Sequence, residues 1–210
     1  MGIKFIENLL SGKWNNETEK PVSCVICSSE LLLAKDFRFP DSPFIISNTA
    51  CQAVTNLASI YYAIKKFDIN LITLIESNNV KFKELISIQF QPAEFEFKTL
   101  SKIYEENYEI LISMYESEQT MNTAFAELNI DTQIETLRTI EPFESMIKEE
   151  QLLICGMILD KEQIYGKSPQ LYMVNCNGIT DPEEIMQIKA LNPLPEKLLM
   201  NKVKRLHIQI

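Results

Sequence analysis

Three short apolar runs, at residues 22–27, 44–46 and 69–75, limit the folds open to this chain more than any other feature. No tight turn joins one run to the next. Between the second and third, Val54, Leu57, Ala58, Tyr61 and Ile64 recur at helical spacing across residues 50–66. Strands joined by long helical crossovers pair in parallel, because an antiparallel pair needs only a hairpin. Residues 71–75 are apolar with almost no alternation, as expected of a central strand buried on both faces. The pattern therefore predicts an α/β domain with a central, mostly parallel sheet flanked by helices.

The rest of the chain extends this plan. Residues 3–10 read as a short amphipathic helix, and helical periodicity returns at 79–88, 99–117 and 130–148. Residues 151–158 and Leu171-Tyr172-Met173-Val174 flank a loop containing Gly166, and predict a hairpin that adds an antiparallel edge to the sheet. Asp181-Pro182-Glu183-Glu184 has the composition of a helix start: a capping acid, proline in the first turn, then negative charge at the helix's positive end. These boundaries give one domain over residues 1–179. Residues 180–210 form a C-terminal extension, expected to pack on that domain or on a second subunit.

At 210 residues with 46% hydrophobic content, the chain can bury a core without disulfides or structural metal. A net charge of −9 opposes nucleic-acid binding, which needs cationic surface to neutralise phosphate. The opening residues lack the apolar segment of a secretory signal, and no run is long enough to span a bilayer. Five cysteines, Cys24, Cys27, Cys51, Cys155 and Cys176, lie mostly in apolar runs. Free buried thiols and a cytoplasmic setting are the expectation.

Cys24-Val25-Ile26-Cys27 has the form of a Cys-x-x-Cys motif. On a strand, residues three apart face opposite sides, so the two sulfurs cannot hold one metal. Redox motifs of this form usually open a helix, and Cys24 is read as a core cysteine. Glu76 ends the third strand, where ligands of α/β domains bind, and could act there as base or cation ligand. The simpler alternative is that it pairs with a nearby donor or faces solvent. The stripe Leu100, Ile103, Tyr104, Tyr108, Leu111, Ile112, Tyr115 reads as core or subunit packing. Lys197, Lys202, Lys204 and Arg205 make a basic end, expected to pair with the acidic body.

Over about residues 8–176, the order of these elements resembles the β-class carbonic anhydrases. The first strand of that family ends in Cys-x-Asp-Ser-Arg, matched here by Cys27-Ser28-Ser29-Glu30-Leu31. The next landmark, a strand followed by Arg-Asn-Ala-Gly-Asn, is matched by Ser47-Asn48-Thr49-Ala50-Cys51, and the Ser-x-x-Tyr-Ala helix by Ser59 to Ala63. The strand ending Gly-His-Ser-x-Cys-Gly is matched by Ile75-Glu76-Ser77-Asn78-Asn79-Val80. The closing helix and strand correspond to Gln133–Phe143 and Gln151–Asp160.

The resemblance implies a zinc ion held by two cysteines and a histidine, beside an aspartate–arginine dyad. Of these this chain keeps only Cys27. Glu76 stands for the histidine, Asn79 for the second cysteine, Ser29 for the aspartate and Leu31 for the arginine. The single histidine, His207, matches none of them. Asparagine supplies neither the charge nor the soft donation of thiolate, and without zinc no hydroxide forms near neutral pH. The expectation is an inactive carbonic-anhydrase-like homodimer with no cofactor. Its vestigial pocket would be formed by Cys27, Ser29, Leu31, Ser47, Asn48, Cys51, Glu76 and Asn79. Two alternatives stand beside it. One is an enzyme whose remodelled pocket uses Cys27 and Glu76, with or without Cys51, for metal binding or thiol chemistry. The other is a protein partner that modulates an active carbonic anhydrase.

Overall fold

The computed structural model describes residues 2–13, 20–33, 38–88 and 94–206; His207 lies outside them. Five strands form one sheet: β1 (Cys24–Ser28), β2 (Phe44–Asn48), β3 (Leu71–Ser77), β4 (Leu153–Leu159) and β5 (Leu171–Cys176). Their order is β2-β1-β3-β4-β5, parallel except for the antiparallel β4–β5 edge. This is the mostly parallel α/β sheet, with its antiparallel edge, that the apolar runs predict.

Nine α-helices lie among the described residues: α1 (Gly2–Ser11), α2 (Ser29–Leu33), α3 (Leu57–Phe67), α4 (Phe82–Ile86), α5 (Glu94–Met114), α6 (Glu118–Arg138), α7 (Phe143–Lys148), α8 (Pro182–Met186) and α9 (Glu196–Lys202). The alternating side chains of the strands build two apolar layers. Ile26, Ile72, Leu74, Ile154 and Ile158 face α3, α5 and α6. Val25, Cys27, Ile75, Cys155 and Met157 face α1 and the helices of residues 182–202. Cys24 and Cys27 fall in different layers, as their spacing of three requires.

Local sequence sets the ends of these elements. Helix α1 buries Phe5, Ile6, Leu9 and Leu10 and stops at Gly12, whose φ of 64° accompanies bonds from Gly12 N to Leu9 O and from Lys13 N to Asn8 O. That is the paired bonding of a glycine-terminated helix, in which a left-handed residue satisfies the last carbonyls. At α8, the Asp181 carboxylate accepts from Glu183 N and Glu184 N at 2.9 and 3.0 Å, and Pro182 opens the helix.

The helical middle departs from the sequence expectation. Residues 50–66 are not one helix, because Ala50 and Cys51 take positive φ and two 3-10 turns precede α3. The periodicity at 99–117 belongs to α5, which ends at Met114. The stretch 130–148 divides into the end of α6 and the separate α7. Residues 118–129, which carry no apolar stripe, are the first half of α6, capped by Ser117 Oγ accepting from Thr120 N at 3.1 Å. Within the α5 stripe Leu100, Ile103 and Leu111 are core, whereas Tyr108 and Ile112 are exposed.

The C-terminal segment packs on the second layer through Ile185, Leu191, Leu194, Leu199 and Val203. Arg205 anchors it further. The guanidinium pairs with Asp131 of α6 and donates to Val174 O at 3.1 Å. Fully buried Glu127 accepts from Tyr165 Oη at 2.5 Å and from Leu206 N at 2.9 Å. The Lys202 ammonium sits 4.9 Å from the centre of the Tyr172 ring. Of the basic end, Arg205 pairs with carboxylates of the body, whereas Lys202 meets Gln170 and the Tyr172 ring instead.

Helix α6 approaches β4 closely because position 156 has no side chain. A Cβ built on Gly156 would lie 2.3 Å from Ile130 Cγ2 and 3.0 Å from Ile134 Cδ1. Gly156→Ala is expected to destabilise the fold by about 1–3 kcal/mol, the usual cost of overpacking a core. Urea denaturation monitored by circular dichroism measures the shift.

Candidate functional site

Parallel strands bring their carboxyl ends to one edge, where α/β folds commonly bind ligands. Three segments meet there: α2 after β1, the turn Thr49–Cys51 after β2, and Ser77-Asn78-Asn79 after β3. The eight positions singled out from the sequence lie on these segments or on the strand residues just before them, but divide sharply by burial. Cys27, Leu31, Cys51 and Glu76 are completely buried, Asn48 is half-buried, and Ser29, Ser47 and Asn79 are exposed.

The turn after β2 is held in a strained shape. Ala50 and Cys51 have φ of 55° and 54°, a region that costs roughly 1–2 kcal/mol for a residue with a Cβ. Side-chain bonds secure it. Asn48 Nδ2 donates to Gln52 O and Asn48 Oδ1 accepts from Gln52 N, both at 2.7 Å. From α6, Asn129 Nδ2 donates to Ala50 O at 2.7 Å and Gln133 Oε1 accepts from Ala53 N at 2.9 Å. The Cys51 thiol points inward and donates to Ile26 O at 3.1 Å. Asn129 was not singled out from the sequence, and Gln133 only as part of a helix. The available signal was two amides four residues apart on one turn-and-turn face of an otherwise buried helix.

Glu76 is the chemical centre of this cluster. Its Oε1 accepts from Ser77 N at 2.8 Å, while Oε2 has no hydrogen-bond partner. Nearby Ser28 Oγ also lacks a partner of good geometry, although its proximity favours the ionised carboxylate slightly. Burial outweighs both contacts and raises the Glu76 pKa from its ordinary 4.5 to about 7. The residue neither faces solvent nor pairs with a cation.

The thiols around it are held protonated. Burial first, then the neighbouring Glu76, push Cys27 up to about 12, and the Ser47 hydroxyl offsets only part of this. Cys51 is raised well above 9 by burial, Glu76 and Cys27, despite a backbone hydrogen bond from Ile75 that lowers it. A reactive cysteine needs the opposite surroundings: an exposed, electropositive site that favours thiolate.

The remaining positions do not supply a zinc site either. Leu31 is packed in the apolar layer with Phe5 and Leu10, away from any role as a cation. Ser29 Oγ accepts from Ser47 Oγ at 3.2 Å, and the Asn79 amide oxygen accepts from Ser77 Oγ at 2.5 Å. Among the described residues, no group of three His, Cys, Asp or Glu side chains is placed to hold a metal ion. Two buried thiols and one half-satisfied carboxyl that do not converge on a common point, with an exposed amide in place of a third strong ligand, do not fit zinc.

Comparison with known proteins identifies the architecture. No family model matches the chain, and no curated protein matches its sequence. Solved structures do match. One of two tetrameric β-carbonic anhydrases from the ascomycete Sordaria macrospora superposes with a TM-score of 0.59 at 18% identity, covering 80% of this chain and 84% of that one. A β-carbonic anhydrase of the fungal pathogen Aspergillus fumigatus gives 0.59 at 16% identity, covering 88% and 84%. The Coccomyxa β-carbonic anhydrase, solved with acetazolamide, gives 0.56 at 11% identity, covering 81% and 78%. The fold is that of the β-carbonic anhydrases.

Burial of Glu76 makes stability depend on pH. Between 4.5 and about 7 the folded chain binds a proton that the unfolded chain has lost, so this residue lowers stability as pH rises through that window. The full effect is on the order of 3 kcal/mol. Glu76→Gln is expected to match the parent near pH 4.5 and exceed it in stability at pH 8. Urea midpoints across the range give the comparison; a constant difference at every pH would contradict it.

Proposed function

We propose that this chain is a β-carbonic-anhydrase-fold protein that has lost zinc-dependent hydration and serves as a structural, binding or regulatory homodimer. The observation that carries this reading is the sealed cluster of Glu76, Cys27 and Cys51, in which burial keeps both thiols protonated near neutral pH and raises the Glu76 carboxyl to about 7. Hydration of carbon dioxide needs a nucleophile ionised at neutral pH, which zinc supplies in enzymes of this kind. Neither an open position nor a fitting ligand set supports one here. Thiol chemistry at Cys27 has the same difficulty, because its surroundings raise its pKa.

Elemental analysis of protein purified without chelator tests the proposal, together with stopped-flow hydration assays. The expected result is far less than one zinc per chain and no turnover above background. Stoichiometric zinc with chelator-sensitive turnover would overturn it.

Self-association is supported by the edge that β2 presents. Ile45, Tyr61 and Tyr62 are 41%, 42% and 55% exposed, and Leu32 is 45% exposed. Phe44, Tyr62 and Phe67 stack with ring centres 6.0–6.4 Å apart, extending the apolar surface over α3. The Sordaria enzymes are tetrameric, and this patch suits a second copy of the present chain. Light scattering is expected to show a dimer, and Tyr62→Glu to shift it towards monomer with unchanged circular dichroism. A monomeric parent that associates only with an active carbonic anhydrase would favour the modulatory reading instead. A cytoplasmic setting fits five free thiols, and no helix among the described residues is long and apolar enough to cross a membrane. The domain boundary near residue 179 belongs to the same proposal.

A further inference from the structure

Cys155 and Cys176 face each other across the antiparallel edge of the sheet, with their sulfurs 3.8 Å apart. Their backbone setting is specific. Opposite Ile154, Asn177 donates its N–H to Ile154 O at 2.8 Å, and its side-chain Oδ1 accepts from Ile154 N at 2.7 Å. One step along, Cys176 turns its own backbone away from β4: its N–H donates to Ile179 O and its carbonyl accepts from Ile179 N, both at 2.9 Å. Cys155 and Cys176 are therefore a non-hydrogen-bonded pair, the type in which opposing Cα atoms approach to about 4.5 Å and side chains lie closest. That separation lies within the range spanned by disulfides. Both sulfurs occupy the same apolar layer.

We propose that Cys155 and Cys176 are a latent cross-strand disulfide that closes when the folded chain meets a small-molecule disulfide. The Cys176 thiolate attacks the oxidant's S–S bond, forming a mixed disulfide and releasing one thiol. The Cys155 thiolate then attacks the Cys176 sulfur, forming the protein disulfide and releasing the second thiol. Two electrons pass from the cysteine pair to the oxidant, and the two cysteine protons end on the released thiols.

The architecture determines when this happens. Both residues are completely buried, and the Cys155 thiol is pushed up by its contact with Cys176 first and then by burial, which keeps it protonated. Exchange therefore runs through transient opening. β5 is the last strand of the sheet, and beyond it residues 203–205 reach its edge, with Lys204 N donating to Met173 O and Arg205 Nη1 to Val174 O, both at 3.1 Å. The helices over the pair contribute Ile185, Leu191, Leu194 and Leu199 to the same layer. Lifting the C-terminal segment with the edge strand admits the oxidant, and closure of the bond then staples that strand to β4. Of the other thiols, Cys51 donates to Ile26 O and lies with Cys24 in the opposite layer, and Cys27 shares the layer but sits on β1, two strands away from β4.

The test uses the full chain, folded and fully reduced, incubated with oxidised glutathione, then quenched in acid and alkylated after denaturation, because all five thiols are buried in the folded chain. Two of the five thiols are expected to resist alkylation. Intact mass should fall by about 2 Da before alkylation. Proteolysis should yield a peptide pair joined at Cys155 and Cys176 and separated by dithiothreitol. Adding urea below the unfolding midpoint is expected to raise the rate severalfold, and Cys155→Ala or Cys176→Ala to abolish the linkage. Five alkylatable thiols after prolonged incubation would overturn the proposal, as would glutathione adducts that never resolve or a linkage through Cys24, Cys27 or Cys51. Because mapping is done on the parent chain, the result stands even where an alanine variant fails to fold.

Discussion

The structure turns on a carboxyl group at the end of its most enclosed strand. β3 lies at the centre of the sheet, pairs in parallel with β1 and β4, and is buried along its whole length. Register with β4 places Glu76 beside Ile158, so the strand cannot turn its carboxyl to water without giving up its pairing. An ionised carboxylate there has one backbone donor and no cation. The protonated form is therefore favoured up to about neutral pH. The same burial sets the state of Cys27 and Cys51, and a charge on Glu76 raises the cost of ionising either thiol further. An edge that in α/β folds commonly receives ligands has become an interior.

A single helix makes that interior possible. α6 lies over β4 through Ile130 and Ile134, in the space left by Gly156. Its amides at Asn129 and Gln133 hold the left-handed turn of Ala50 and Cys51 closed over the strand ends. Its acids at Glu127 and Asp131 hold Leu206 and Arg205. Strain of the kind stored at Ala50 persists only where surroundings over-determine it, and here four side-chain bonds do so.

The sheet was legible because burial on both faces leaves an unmistakable mark: residues 71–75 carry no polar alternation, and the connection before them is too long for a hairpin. The helix that completes the site left no such mark. α6 is covered on several sides, so Thr123, Glu127, Asn129 and Gln133 are buried among Phe125, Leu128 and Ile130, and no single apolar stripe remains to be read. The break between α6 and α7, near Pro142, was hidden for the same reason. Of the eight site positions, chain order placed all on the strand-end segments, but it could not separate inward from outward. Cys27 and Ser29 are two residues apart, yet one is sealed and the other exposed, because β1 gives way to α2 between them. The left-handed turn was equally hidden, since alanine and cysteine carry no preference for positive φ.

Under the proposed reading, Leu31 is where the pocket gives up a charge without loss of fold. A buried ion pair or metal site binds its polar groups well only when every partner is present; with one removed, the rest are stranded at a cost of several kcal/mol. At position 31, an apolar side chain packed with Phe5 and Leu10 contributes burial worth about 1.5–3 kcal/mol and requires no partner. Ser29 needs none either, since it is exposed and bonded to Ser47. Glu76 is the exception, still polar and still half-satisfied, and the protonated state is what reconciles it with its surroundings. Under the proposed reading, the substitutions are not independent losses. Once the cation is gone, each remaining group must become apolar, reach solvent or keep its proton, and these residues do one each.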